Sequence, residues 1–402
     1  MLASALEAGF CSAGASAVRL GVVPTGMVSK VAQDPSIGLG VMVSASHNPA
    51  PDNGIKLIGP DGRKLSDECE RQIEAWMDER TSERPIGRGV GEVRDAHDTW
   101  TESYLSYLES LIPERLDGME IAVDCSNGAA YELGPEIFRR LGAELTITGA
   151  NPDGMNINSE CGATNPKTIQ ELTQTSHAAI GVAFDGDADR AVFSDSQGRL
   201  INGDRTMAIW CAHWHVDPPI VVGTVMSNGG FERYMQSKGI QVERADVGDK
   251  YVAQRMSETG AVVGGEQSGH IIFSQRGVTG DGLITAIELL RVLQRERRTA
   301  SSFVSDFESM PQVLVNIQLP DKDAWKTDAA LAELLQASNH EVAGKGRLNI
   351  RASGTQPMVR VMVEAESYEL RDRVADRLVS AFQGELGGKI YSKVDLTHAL
   401  GD

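Results

Sequence analysis

Three aspartates separated by single small residues, Asp185-Gly186-Asp187-Ala188-Asp189, close the apolar run Ala179-Ile180-Gly181-Val182-Ala183-Phe184 and are followed by Arg190. An apolar run of that length, broken by a polar turn, reads as a strand, so the triplet falls in a loop at its end. Like charges this close repel and raise one another's pKa, so they are stable together mainly when a divalent cation such as Mg²⁺ shares them. A calcium hand would need Gly at the sixth position and a bidentate Glu at the twelfth, where this chain has Arg190 and Ser196. Arg190 suits an anionic phosphate ligand, because a guanidinium binds two oxygens at once. For the triplet alone, a solvated acidic turn is the competing reading.

The 402-residue chain is long enough for roughly two to four domains. Its net charge of −18, from 38 basic and 56 acidic residues, argues against a general binder of nucleic acid or anionic membrane, so an anionic substrate needs a locally basic pocket. Cys11, Cys69, Cys125, Cys161 and Cys211 lie far apart without a Cys-x-x-Cys pair, which suits a reducing cytoplasm better than a disulfide framework or zinc site. No apolar stretch approaches the ~18 residues of a membrane span.

The pattern predicts a helix over 2–11, strands over 17–23 and 39–43, and a helix capped by Ser66 with an apolar stripe of Ile73, Trp76 and Met77. A β-α-β pattern begins at Met119: strand 121–124, turn Ser126-Asn127-Gly128, helix 135–141, strand 144–147, and then the run before the acidic loop. Another unit starts at strand 220–225. The final stretch differs, with strands 313–317 and 359–363, a helix near 329–337, and a terminal helix placing Leu370, Val374, Leu378 and Phe382 on one face. The expected architecture is α/β units followed by a separate α+β domain.

Three further loops carry chemistry. Val43-Ser44-Ala45-Ser46-His47-Asn48-Pro49 offers a nucleophile at a strand end, with Lys56 shortly after; Ser44 and Ser46 are predicted to share a strand face, and spacing barely separates them. The absence of a Gly-x-Ser-x-Gly elbow argues against an acyl-transfer hydrolase. Gly264-Gly265-Glu266-Gln267-Ser268-Gly269-His270 presents groups suited to sugar hydroxyls, and Arg351-Ala352-Ser353-Gly354-Thr355-Gln356-Pro357 is a plausible phosphate cradle. Each of the three, taken singly, could equally be a polar turn. His213 and His215 point apart on a helix and read as structural.

These four loops in this order resemble the α-D-phosphohexomutase superfamily. Gly265 to His270, Asp124 to Ala130, Gly223 to Asn228 and Val247 to Val252 resemble its phosphoglucosamine mutase branch. The resemblance covers essentially the whole chain and implies three α/β domains plus a C-terminal α+β domain around a central cleft, over residues 1–115, 116–205, 206–312 and 313–402. It implies that Ser46, beside His47, carries the phosphoryl group. Asp185, Asp187 and Asp189 would bind Mg²⁺ with Ser46, and Lys56 and His270 would move protons. Glu266 and Ser268 would contact sugar hydroxyls. Arg190, Asp249, Lys250, Arg351, Ser353, Gly354 and Thr355 would contact the substrate or its phosphate.

The implied reaction interconverts glucosamine 6-phosphate and glucosamine 1-phosphate through a hexosamine 1,6-bisphosphate, upstream of UDP-N-acetylglucosamine. A phosphomannomutase/phosphoglucomutase and a non-catalytic sugar-phosphate binder are the alternatives. Phosphoserine carries close to −2 charge, so attack by an anionic sugar phosphate needs Mg²⁺ and cations. Against the family pattern, Thr-Asp-Gly-Ile-Arg-Gly-like and Arg-Asp-Thr-Arg-like segments are absent at the start, Gln356 stands for Glu, and Lys250 stands for Arg. A first domain with fewer strands is expected, with a sheet edge prone to association, a homodimer among its expected forms, and weak turnover.

Overall fold

A computed structural model of the chain describes residues 1–77, 84–353 and 356–400. The stretch containing the acidic loop forms a five-stranded sheet in the order Glu144–Thr148, Glu120–Asp124, Ile180–Phe184, Ala191–Asp195, Leu200–Ile201. The first three strands are parallel and the last two antiparallel. All five residues of Ile180–Phe184 are buried, which is why the run shows no polar alternation. The acidic loop leaves the carboxyl end of this strand, the end at which open α/β sheets place their ligands.

The next sheet runs Gln241–Ala245, Ile220–Thr224, Val263–Gly265, Ile271–Phe273, again parallel until its last strand. The hairpin between those last two strands carries Glu266 to His270. The C-terminal sheet is wholly antiparallel, in the order Gly346–Ala352, Met358–Ala365, Gln312–Gln318, Lys389–Asp395. Leu370, Val374, Leu378 and Phe382 are all buried on helix Tyr368–Leu386, giving this unit its own core.

The N-terminal part holds two separate two-stranded sheets: Ala17–Arg19 parallel to Val93–Asp95, and Gly40–Val43 antiparallel to Ile55–Ile58. Its core merges with those of the two following α/β units through helices Thr25–Ala32, His97–Leu111 and Gly282–Glu296. Among the described residues, no helix is long and apolar enough to cross a membrane.

Several sequence expectations change. The strand expected over 17–23 stops at Arg19, because Gly21 takes a φ of +78° and Val23 begins the entry to the next helix. Ser66 does accept from the Cys69 N–H at 3.3 Å, yet the expected stripe is not a core face: Trp76 is 56% and Met77 79% exposed. The edge strand Lys389–Asp395 was not anticipated, since alternation there is weak and most of its side chains are exposed. His213 packs edge-on against Phe303 and lies 3.5 Å from Glu296, in keeping with a structural role.

Candidate active site

The acidic loop folds back on itself. Ala188 takes a φ of +57° and its N–H reaches Asp185 O at 3.0 Å, while the Arg190 N–H donates to Asp185 Oδ1 at 3.1 Å. Asp185, Asp187 and Asp189 are all buried, and each offers an oxygen within 4.8 Å of the others. Burial pushes the Asp185 carboxyl well above the usual range, reinforced by Asp189 and Asp187, with Arg190 and Ser46 acting the other way. Asp189 goes the opposite way: burial would raise it, but Lys56, His270, Arg190 and Lys64 together hold it well below. Among the described residues, Asp187 Oδ1 and Asp189 Oδ1 are buried without a hydrogen-bond partner. Three converging carboxylates with orphaned oxygens fit a hard divalent cation.

Ser46 comes to this loop from the N-terminal part. The strand ends at Val43, and Ser46 itself has a φ of +54°, so Ser44 and Ser46 do not share a strand face as expected. Their roles separate instead. The Ser44 hydroxyl accepts from the Ser46 N–H at 2.8 Å, and the Ser46 hydroxyl donates to Asp185 Oδ2 at 2.9 Å. Asn158 holds the turn by donating to Ser46 O and Asn48 O, both at 3.0 Å. Gly186 is required by this packing, because a Cβ there would stand 2.4 Å from Ser46 O. His47 follows, half-buried.

Lys56 sits opposite Met42 in the register of the second hairpin. Its ammonium bonds Asp187 Oδ2 and lies 3.3 Å from Asp189 Oδ2. Burial disfavours its charge, but Asp189 and Asp187 outweigh that and raise its pKa, so Lys56 stays cationic within the acidic loop.

At the end of the acidic loop, Arg190 meets His270 in an isolated antiparallel bridge. The His270 ring is only 3% exposed, and among the described residues neither ring nitrogen has a hydrogen-bond partner. Glu266 accepts from the Gly248 N–H at 2.9 Å, tying the loop Glu266 to His270 to the turn before helix Asp249–Thr259, and Ser268 in the same loop is buried. Asp249 pairs with Lys64; burial would raise its carboxyl, yet His270 and Lys64 leave it lowered. Lys250 reaches across to Asp67 at 2.8 Å on an exposed surface, joining the third stretch to the first.

The C-terminal loop brings a basic pair. Arg351 and Arg360 face each other in register, on one side of the sheet. Burial, then the charge of Arg360, lowers the Arg351 pKa, while Glu266 and Asp246 oppose the shift. Ser353 is buried, its N–H bonds Met358 O at 2.8 Å, and its carbonyl accepts from Lys322 Nζ at 2.7 Å. Gly354 and Thr355 lie outside the described residues. Thr25, Asn158, Lys322 and Arg360 escaped the sequence reading. Arg360 alone left a readable signal, as the partner of Arg351 once the hairpin register is drawn.

A serine hydroxyl on a buried acidic loop, a buried imidazole bridged to the end of that loop and a pair of facing arginines form a combination suited to phosphoryl transfer with an anionic substrate. Models of the phosphoglucomutase/phosphomannomutase family match in four successive stretches: alpha/beta/alpha domain I over residues 1–84, domain II over 102–198, domain III over 202–310 and the C-terminal domain over 314–381. The phosphoglucosamine mutase of Symbiobacterium thermophilum is 43% identical over 392 residues, covering 96% of this chain and 87% of the relative. That of Rhizobium meliloti is 41% identical, covering 96% and 86%.

Among solved structures, a phosphoglucomutase/phosphomannomutase family protein from Burkholderia thailandensis superposes with a TM-score of 0.76 at 23% identity, over 97% of this chain and 87% of that one. The N-acetylphosphoglucosamine mutase of Aspergillus fumigatus, in complex with GlcNAc-6P and magnesium, gives 0.70 at 20% identity, over 89% and 92%. The chain belongs to the phosphohexomutase isomerases, in their phosphoglucosamine mutase family.

Proposed function

We propose that the chain interconverts glucosamine 6-phosphate and glucosamine 1-phosphate, upstream of UDP-N-acetylglucosamine, through a phosphoserine at Ser46 and a hexosamine 1,6-bisphosphate. The carrying observation is the seat of Ser46, whose hydroxyl is held 2.9 Å from a carboxylate of the acidic triad by a strained, braced turn. The phosphoglucosamine mutase relatives support the amino sugar.

Asp185, Asp187 and Asp189, together with Ser46, would hold Mg²⁺, which when bound neutralises charge on the phosphoryl oxygens. In the first half-reaction the free sugar hydroxyl attacks the phosphorus on Ser46. The new O–P bond forms as the Oγ–P bond breaks, and the hydroxyl proton passes to His270. Lys56, held cationic by its carboxylates, would offset the charge left on Oγ. After the bisphosphate reorients, Ser46 attacks its other phosphoryl group and the proton returns. Arg351, Arg360, Ser353, Gly354 and Thr355 would grip the phosphate that is not reacting, with Arg190, Asp249 and Lys250 completing the charged lining and His47 flanking the nucleophile. Glu266 and Ser268 would take the sugar hydroxyls. The proposed units are residues 1–115, 116–205, 206–312 and 313–402, one loop from each.

Intact-mass measurement and peptide mapping should place one phosphate on Ser46, and Ser46→Ala should abolish turnover of glucosamine 6-phosphate. Asp187→Ala should collapse Mg²⁺ affinity by calorimetry. Phosphate on Ser44, or turnover surviving in Ser46→Ala, would sink the mechanism. Faster turnover on mannose or glucose phosphates would move the assignment to a phosphomannomutase/phosphoglucomutase, and sugar-phosphate binding without turnover to a binder.

A further inference from the structure

Asp187 is anchored from an element 162 residues away in sequence. Thr25 opens helix Thr25–Ala32 and is 2% exposed. It makes two bonds to the same aspartate: its N–H donates to Asp187 O at 2.9 Å, and its hydroxyl donates to Asp187 Oδ2 at 2.7 Å. Lys56 occupies the same Oδ2. One oxygen of Asp187 therefore carries two donors, while the other, Oδ1, is buried with no partner among the described residues.

A free carboxylate can rotate to exchange its oxygens, so an asymmetric set of donors is what decides which oxygen stays available. We propose that Thr25 is a positioning residue for the cation site, its hydroxyl pinning Asp187 Oδ2 so that Oδ1 is presented to the metal. This inference rests on the reading that the acidic triad holds a divalent cation.

Thr25 cannot swing away from this task. Every residue of its helix except Lys30 is buried, and the next residue, Gly26, packs so tightly against Asp281 that a Cβ would stand 2.0 Å from Asp281 Oδ2. Docking of the helix does not depend on the hydroxyl, because the Thr25 main-chain bond to Asp187 O and the buried Met27, Val28 and Val31 already fix it. The hydroxyl is thus separable from the fold, and a ligand's hydrogen-bonded support commonly governs metal affinity by about 10–100-fold.

The test compares Thr25→Val, which keeps shape and main-chain bond but loses the hydroxyl, with Thr25→Ser, which keeps the hydroxyl, both in the full chain. Mg²⁺ titrated by calorimetry should bind about tenfold or more weakly to Thr25→Val and within about twofold of the parent to Thr25→Ser. The Mg²⁺ concentration for half-maximal turnover should rise by the same factor, with kcat restored at saturating Mg²⁺. If Thr25→Val does not fold, Thr25→Ala carries the same comparison. Parent-like affinity in the variant lacking the hydroxyl, equal loss in Thr25→Ser, or a fall in kcat that excess Mg²⁺ does not restore overturns the role of Thr25. A parent that binds no Mg²⁺ overturns the reading of the triad and this inference with it.

Discussion

Lys56 and Thr25 approach the same aspartate with opposite consequences. The Lys56 ammonium touches Asp187 and lies near Asp189, neutralising charge that a divalent cation would also neutralise. Replacing it should therefore tighten the metal while weakening catalysis. In Lys56→Met, Mg²⁺ affinity measured by calorimetry should rise and turnover should fall. Without metal the same variant leaves buried carboxylates uncompensated, a loss on the order of 3–5 kcal/mol. Its melting temperature in chelator should drop below the parent's and recover on adding Mg²⁺, since a ligand that binds only the folded state stabilises it. A variant whose stability is indifferent to Mg²⁺ would show that Lys56 does not share the cation's carboxylates.

At the scale of elements, the site depends on helix starts pressed together below the acidic loop. Asp281 caps helix Gly282–Glu296 by accepting from Leu283 N at 2.9 Å and Ile284 N at 3.1 Å, and Tyr104 donates to its other oxygen. Burial raises its carboxyl to about 6, against the lowering effect of Tyr104 and the capping N–H groups, with Asp189 adding to the rise. Because the folded value lies above the ordinary 3.8, the folded chain binds this proton more tightly than the unfolded chain. The stability so contributed is present below the ordinary value and is lost as pH rises through about 6. Asp281→Asn keeps a capping oxygen and cannot ionise. Its urea midpoint relative to the parent should shift upward between pH 4 and about 6, and then level off. A parent-to-variant difference constant across that window would contradict the assignment.

Across the whole molecule, one hydrophobic cluster runs from Val23 to Phe307, whereas the C-terminal unit packs around its own cluster from Val313 to Phe382. The two are joined by a small cluster of Met226, Leu314, Met362 and Leu396, and by polar bonds. Arg347, on the first strand of the C-terminal sheet, donates to the carbonyls of Val225 and Ser227 and to Glu364 at 3.1 Å. If such a joint lets the C-terminal unit shift as a body, the arginine pair proposed to hold the phosphate would close without disturbing the acidic loop. Arg347→Leu should raise KM for the sugar phosphate more than it lowers kcat. Hydrogen exchange should become faster in 225–228 and 346–352 while 180–195 stays protected. Uniform loss of protection would mean that the chain unfolds as one block.

The residue types of each loop were legible in the sequence because they are local: Asp185, Asp187 and Asp189 sit on one turn, Glu266 to His270 on another, and the apolar runs before them mark strands whatever the rest of the chain does. The order of those loops also carried the family resemblance. What spacing could not show was how the settings of Ser44 and Ser46 differ: Ser46 takes a positive φ and bonds Asp185, 139 residues away. Thr25 and Asn158 were silent for the same reason, since a threonine or asparagine that bonds a distant aspartate or carbonyl has no local pattern to betray it. Periodicity reports which face of an element is apolar, as it did for Leu370 to Phe382, but Ile73, Trp76 and Met77 show that it does not report whether anything covers that face. Only the tertiary structure brings together groups far apart in sequence, and that is where the orientation of Ser46, the charge balance at Lys56 and the convergence of the three aspartates are decided.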